Sequence, residues 1–474
     1  RKRCILTDDG VVLAYHGEAA YTETGALLQA VFKNNKNYPV GEKVQVMVEQ
    51  PRFYYKVVPL QLEKVEYKEV NTLAITAGAA SSGNVTINLD GKDFTVAVVA
   101  ADDASAVATK IRAASFAGWT TGGSGASVSF TALESGEKVT ATFSGGTTGV
   151  TARVTKTLSG KVAKGFHNRK ARYYVSDVKK TGFKLHPAFI HNGKEKNFIY
   201  LSAYEGSLFD VSASAYILDD SQIADFTATT GDKLSSIGNA KPASGLTQDL
   251  TRAKTRILAN NRGIGWNQAY AATVAATQLL FAIEYASFNT QTAIGTGNVS
   301  KASGEGNESE ITGATTNLGN KSGSITNVNG INIVTYRGEE NFWGNIWKWV
   351  DGLNIFNQSD LYVADHDFAD DIGTDPYEDA GITLSKVSGY ISAFGYNEEF
   401  DWLFFSSETS GDSVLPVGDN FYQTTTLDAW RVALLGAYWN SSSYAGGFYW
   451  YVNGTSSHRN RDIGGRLVYV PDAA

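Results

Sequence analysis

Tyrosine is distributed unevenly along this chain: of its 24 tyrosines none lies between Tyr67 and Tyr173, an interval dominated by Ala, Gly, Thr, Ser and Val. One continuous core has no reason to change its building material in mid-chain, so the interval reads as a separate module. The flanking segments share a composition rich in Tyr, Phe and Asn, which makes the module an insertion rather than an appendage. The ends of an insert must lie close together, a condition that hairpin tips satisfy. The expected division is residues 1–70, an inserted module at 71–160, and 161–474 as the remainder of the first domain.

Inside the module, Val85, Ile87 and Leu89 alternate up to Asp90-Gly91, and Phe94, Val96 and Val98 alternate after it, the pattern of a tightly closed hairpin. Asp102 or Asp103 then caps a short helix that places Val107 and Ile111 four apart on one face. Ser127 to Leu133, Lys138 to Ser144 and Val150 to Leu158 read as three more strands. The expected order is ββαβββ.

Outside the module, Val44, Val46 and Val48 share a strand face, with Pro51 and Phe53-Tyr54-Tyr55 continuing as an edge-like strand. Strand and turn signals resume from Phe183 to Tyr204 around Asn192-Gly193. Thr247 is placed to cap a helix presenting Leu250, Ala253 and Ile257, and Trp266 to Ser287 reads as a second helix carrying Tyr270, Val274, Leu280, Phe281 and Tyr285. Two helices in a chain of strands indicate an α+β, mostly β, fold. Residues 294–329 are dominated by Gly, Ser, Asn and Thr, with scarcely a large apolar residue, and read as a solvated loop, with ligand contact as the alternative. The cluster Phe342, Trp343, Trp347 and Trp349 reads as the entrance to the main core.

Several function classes are excluded early. Net charge is 41 − 48 = −7, so no basic excess draws the chain to nucleic acid. Cys4 is the only cysteine, which rules out an intrachain disulfide and a thiolate metal cluster. The most apolar stretch, Ala269 to Ala286, contains Thr273, Thr277, Gln278 and Glu284 and reads as a core helix, so membrane insertion is not expected. Arg1-Lys2-Arg3-Cys4 runs into Asp8-Asp9-Gly10 without the apolar region of a signal peptide, and synthesis in a host cytoplasm is expected.

Catalytic chemistry has few footholds. The 6 histidines show no zinc spacing, and no nucleophile elbow, Walker loop or dinucleotide fingerprint occurs. Glu339-Glu340 and Glu398-Glu399 are adjacent on strands and point to opposite faces, which disqualifies them as acid/base pairs. No catalytic residue, cofactor or metal ligand is assigned. Asp365, His366, Asp367, Asp370 and Asp371 form the densest acidic cluster; Ca²⁺ coordination is weighed there against a solvated acidic loop, and the spaced EF-hand pattern is missing.

The C-terminal ribbon, residues 436–470, is the informative part. Alternation in Gly447 to Asn453 sets Phe448, Trp450 and Val452 on one face and Tyr449, Tyr451 and Asn453 on the other. Around it lie Tyr438, Trp439, Asn440, Ser441, Ser442 and Tyr444, then Ser456, Ser457, His458 and Asn460. Tyrosine offers large contact area at low entropic cost while Ser and Asn adapt their hydrogen bonds, so these residues are the candidate ligand contacts. The competing explanation is a subunit interface flanked by plain turns.

These residues also carry a resemblance. Gly436-Ala-Tyr-Trp-Asn440, Ala445-Gly-Gly-Phe-Tyr449, Ser456-Ser457 and Ile463-Gly-Gly-Arg-Leu-Val468 resemble the C-terminal C-type-lectin-like domain of bacteriophage tail-fibre and receptor-binding proteins, including the variable proteins of diversity-generating retroelements. Gln45 to Tyr55, Gly182 to Phe189, Ala203 to Gly206, Trp343 to Gly352 and Asp401 to Phe405 are similar to the same family, and the inserted module resembles Ig-like phage modules. The resemblance implies a C-type-lectin-like domain with the small Ig-like domain inserted in its N-terminal part, Gly464 to Leu467 as scaffold and the ribbon as ligand display. The sugar-binding signatures Glu-Pro-Asn and Gln-Pro-Asp of calcium-dependent lectins are missing. The resemblance further implies a non-enzymatic virion adhesin, a homotrimer that binds a bacterial surface glycan or protein and contacts other virion proteins. The alternatives are a structural or decoration protein of the phage head or tail, and a surface-glycan depolymerase.

Overall fold

The computed structural model describes residues 1–222, 231–245 and 248–471. The chain forms two compact units, Arg1–Glu63 together with Phe166–Ala474, and Lys64–Gly165. The second unit is wider than the expected 71–160 because strands Tyr54–Ala77 and Lys161–Ser176 carry regular pairing past both edges of the composition change.

Strands dominate the larger unit. One sheet runs in the spatial order Val12–Tyr15, Lys2–Leu6, Gln45–Pro51, Phe198–Ser202, Leu467–Tyr469 and Trp266–Gln268, so residues near both ends of the chain pair with its middle. Val44, Val46 and Val48 are fully buried as their alternation implies, but Gln45 and Met47 are buried as well, because the strand is covered on both faces. A second sheet orders Glu378–Thr383, Asp360–Val363, Trp347–Phe356, Trp430–Leu435, Trp450–Gly454, Asn420–Gln423 and Gly389–Tyr390. The main core contains Trp343, Phe404, Phe405, Phe421, Phe448 and Trp450. Trp450 stacks on Phe405 at 4.3 Å and donates its indole N–H to the Phe404 carbonyl at 2.9 Å, which satisfies the one polar atom such a ring brings inside.

Two helix expectations need correction. Thr247 lies outside the described residues; the helix is Arg252–Asn260, and Thr251 caps it by accepting from the Lys254 N–H at 3.2 Å. Its buried residues include Arg252, Thr255, Leu258 and Ala259, while Ile257 is exposed, because buried polar partners draw Arg252 inward and turn the face. The second helix is Ala271–Tyr285. Trp266–Gln268 is instead a strand paired with Leu467–Tyr469, and the helix begins where Thr273 Oγ1 accepts from the Tyr270 N–H at 3.1 Å.

The polar stretch 294–329 is not a plain solvated loop. The buried Glu340 carboxylate accepts from the Gly313 and Thr315 N–H groups and from Thr315 Oγ1, each at 2.7 Å. Glu310 accepts from Lys301, Asn327 and Asn329 at 2.8 Å. Hydrogen bonds take the place that apolar side chains usually hold in a packed segment.

The smaller unit has its own core, which includes Val85, Ile87, Leu89, Val107, Ile111, Trp119 and Phe130. Gly83–Leu89 and Lys92–Val98 form the expected hairpin, with Asp90 at φ 54° and Gly91 at φ 76° in its turn. Asp103 caps helix Ala104–Ala113. Strand Trp119–Gly122 and the part of Tyr54–Ala77 from Lys64 onward extend the expected ββαβββ order, and the strand at Lys138 to Ser144 shortens to Thr142–Ser144.

Candidate functional site

The C-terminal ribbon becomes a site through strand pairing. Trp450–Gly454 runs parallel to Asn420–Gln423 in the register Phe421↔Trp450 and Tyr422↔Tyr451, and its other neighbour, Trp430–Leu435, sets Leu434 opposite Tyr451. Side chains alternate across the sheet. Phe448, Trp450, Val452 and Phe421 therefore enter the main core, while Tyr449, Tyr451, Leu434 and Trp347 gather on the opposite face.

On that face the rings are ordered. Tyr422 and Tyr451 stack at 5.1 Å with 3° between their planes. Trp347 meets Tyr449 edge-on at 4.9 Å and lies 5.6 Å from Tyr451 and 6.3 Å from Tyr438. An open cleft of about 410 Å³ is lined by these rings and by Leu434, Asn440, Ser441, Tyr444, His458, Asn460, Asp462 and Ile463. Tyr444 is held at the rim beside Tyr390, 5.5 Å between ring centres, and Tyr390 Oη and Ser443 Oγ share a hydrogen bond of 2.9 Å. Burial raises the Tyr438, Tyr449 and Tyr451 phenols above their ordinary range, so at neutral pH all three remain hydroxyls able to donate.

The sequence-chosen residues separate into two groups. Tyr438, Asn440, Ser441, Tyr444, Tyr449, Tyr451, His458 and Asn460 line the cleft. Trp439, Ser442, Asn453, Ser456 and Ser457 are not among its lining residues. Trp439 is fully buried and is a core residue. Ser442 sits at φ 51° and its N–H binds the Val299 carbonyl, while Ser456 Oγ donates to Asp371 at 2.5 Å. Tyr449 keeps only 5% of its surface exposed and serves as wall rather than as display. Sequence reasoning missed Tyr422, Leu434, Asp462 and Ile463 and placed Trp347 in the core alone. The alternating run Asn420-Phe421-Tyr422-Gln423 signals a strand, but nothing local shows that it pairs with the ribbon.

Within the acidic cluster, Asp370 is committed to ion pairing. Asp370 accepts from Arg252 Nε at 2.7 Å, Arg252 Nη2 at 2.5 Å and Arg256 Nη2 at 2.6 Å. Its pKa is lowered because these guanidinium charges outweigh its burial. Asp370 is thus occupied by two guanidinium groups, and no group of three or more His, Cys, Asp or Glu side chains placed to hold a metal ion occurs among the described residues. A second cavity, also of about 410 Å³, is lined in part by His191, Lys194, Lys196, Arg256 and His366. Its Arg256 is held by Asp351 and Asp370. Among the described residues of the cleft lining, Asp462 is the one carboxylate.

No family model matches the sequence, and no curated protein matches it. Among solved structures, the chain is similar to Major Tropism Determinant U1 Variant at 13% identity, covering 97% of this chain and 89% of that chain with a TM-score of 0.26. Major Tropism Determinant M1 Variant matches at 12% identity over 97% and 88% with a TM-score of 0.27. Superposition at this level is too slight to assign the fold, which stands on the strands described above.

Proposed function

We propose that the protein is a phage virion adhesin that recognises a bacterial surface receptor through the aromatic cleft of its C-terminal ribbon. The observation that carries this reading is the convergence of Tyr422, Tyr438, Tyr444, Tyr449 and Tyr451 with Asn440, Asn460 and His458 around one open cavity. Rigid rings held by a sheet give contact area without ordering cost, and rim amides adapt to a partner. The family resemblance of the ribbon supports placement on a virion, and solved tropism determinants carry a name that accords with adsorption. The proposal includes a homotrimer that contacts other virion proteins, since several copies on one particle multiply weak single contacts. No catalytic step is part of the reading. Titration of fluorescently labelled protein onto a panel of bacterial strains tests it: saturable binding to a subset of strains is expected, and binding to none overturns it.

A further inference from the structure

Asp462 stands apart from the other groups of the cleft. Among the described residues it is the one carboxylate in a wall of rings, and its Oδ1 is buried without a hydrogen-bond partner. Burial raises its pKa above the usual carboxylate range, and a hydrogen bond from its own backbone N–H and the charges of His458 and Arg461 only partly offset this. The Arg461 guanidinium bonds elsewhere, to Ser303 Oγ at 3.0 Å and the Glu305 carbonyl at 3.5 Å. A carboxylate with one oxygen unpartnered beside aromatic faces is a place where positive charge is stabilised twice, by the anion and by the ring quadrupoles.

Resting on the reading of the cleft as the receptor site, we infer that it takes the side chain of a lysine presented by a receptor protein. The ammonium is set against Asp462 and the stem lies along Tyr422, Tyr451 and Trp347. A lysine matches both parts of the cleft, since its methylenes suit ring faces and its head supplies the missing charge. A neutral sugar hydroxyl leaves the carboxylate charge uncompensated. A planar guanidinium fits less well, because a carboxylate with one oxygen shut from the cleft cannot receive it bidentately.

The test is titration of the full chain with Nα-acetyl-lysine amide, its Nε-acetylated form and N-acetylglucosamine, for wild type, Asp462→Asn and Tyr451→Ala. The lysine probe should saturate the wild type, bind Asp462→Asn about tenfold more weakly or worse, and lose its binding on Nε-acetylation. Absence of saturation, equal binding of both lysine forms, or unchanged affinity in Asp462→Asn overturns the inference. Saturation by the saccharide alone, abolished in Tyr451→Ala, removes the lysine and leaves the cleft as a receptor site. Adsorption to bacteria that does not depend on Tyr451 removes the site itself, and the inference with it.

Discussion

Trp439 and Tyr451 show how little separates a wall from a contact at the level of single residues. Both belong to aromatic, serine-rich runs, yet Trp439 is fully buried and Tyr451 faces the cleft. Composition marks the neighbourhood, and strand register decides which ring is reachable. The same holds for the acidic run, where Asp370 serves as the counter-charge of Arg252, a side chain wholly shut from solvent. Removing Asp370 leaves Asp351 as the one carboxylate, among the described residues, beside the two guanidinium groups, so buried positive charge is left short of compensation. Asp370→Ala should therefore cost about 3–5 kcal/mol in denaturant unfolding, whereas a loss below about 1 kcal/mol, the range of surface pairs, would contradict the assigned role. The charge density of Asp365 to Asp371 was visible in sequence; its arginine partners, more than a hundred positions away, had no local signal.

Among elements, pairing between distant strands is the part that sequence reading could not supply. Alternation from Phe448 puts Phe448, Trp450 and Val452 in the core and Tyr449 and Tyr451 on the cleft side, though Asn453 does not line the cleft, and the Asp90-Gly91 turn and the Asp103 cap are legible because a few neighbouring residues determine them. Tyr422 escaped notice because its partner strand is identified only by register. Another such contact joins strands Lys161–Ser176 and Ser406–Glu408 on either side of Ala393–Tyr396, where Arg169 grips Glu408 through two hydrogen bonds of 2.6 and 2.9 Å. Arg169 holds the Glu408 carboxyl down to about 2 from an ordinary 4.5. A carboxylate depressed in the folded state adds stability that is full above the ordinary value and is lost as pH falls through the folded one. Stability measured from pH 5 downward should decline from about 4.5 towards about 2, and Glu408→Gln should flatten that decline; an identical acid profile in the variant would show that the pair does not act this way.

For the whole molecule, the change in tyrosine usage located a separately cored unit, although its edges at Lys64 and Gly165 lie beyond the change because the bordering strands continue through it. The long polar stretch was misjudged, since buried carboxylates such as Glu340 can organise a segment that has few large apolar residues. What the larger unit achieves is to hold one open aromatic cleft on a sheet whose other face is the main core, so that the contact rings are fixed before any ligand arrives. Under the proposed function, this cleft makes the contact with bacteria. Its most direct test is adsorption of labelled protein to bound strains, comparing wild type with a Tyr422→Ala, Tyr451→Ala double variant shown to be folded by circular dichroism. Tyr422 is 42% exposed, so its removal leaves the core intact. Adsorption should weaken about tenfold or more in the double variant, and a folded variant that adsorbs as well as the wild type would contradict the account.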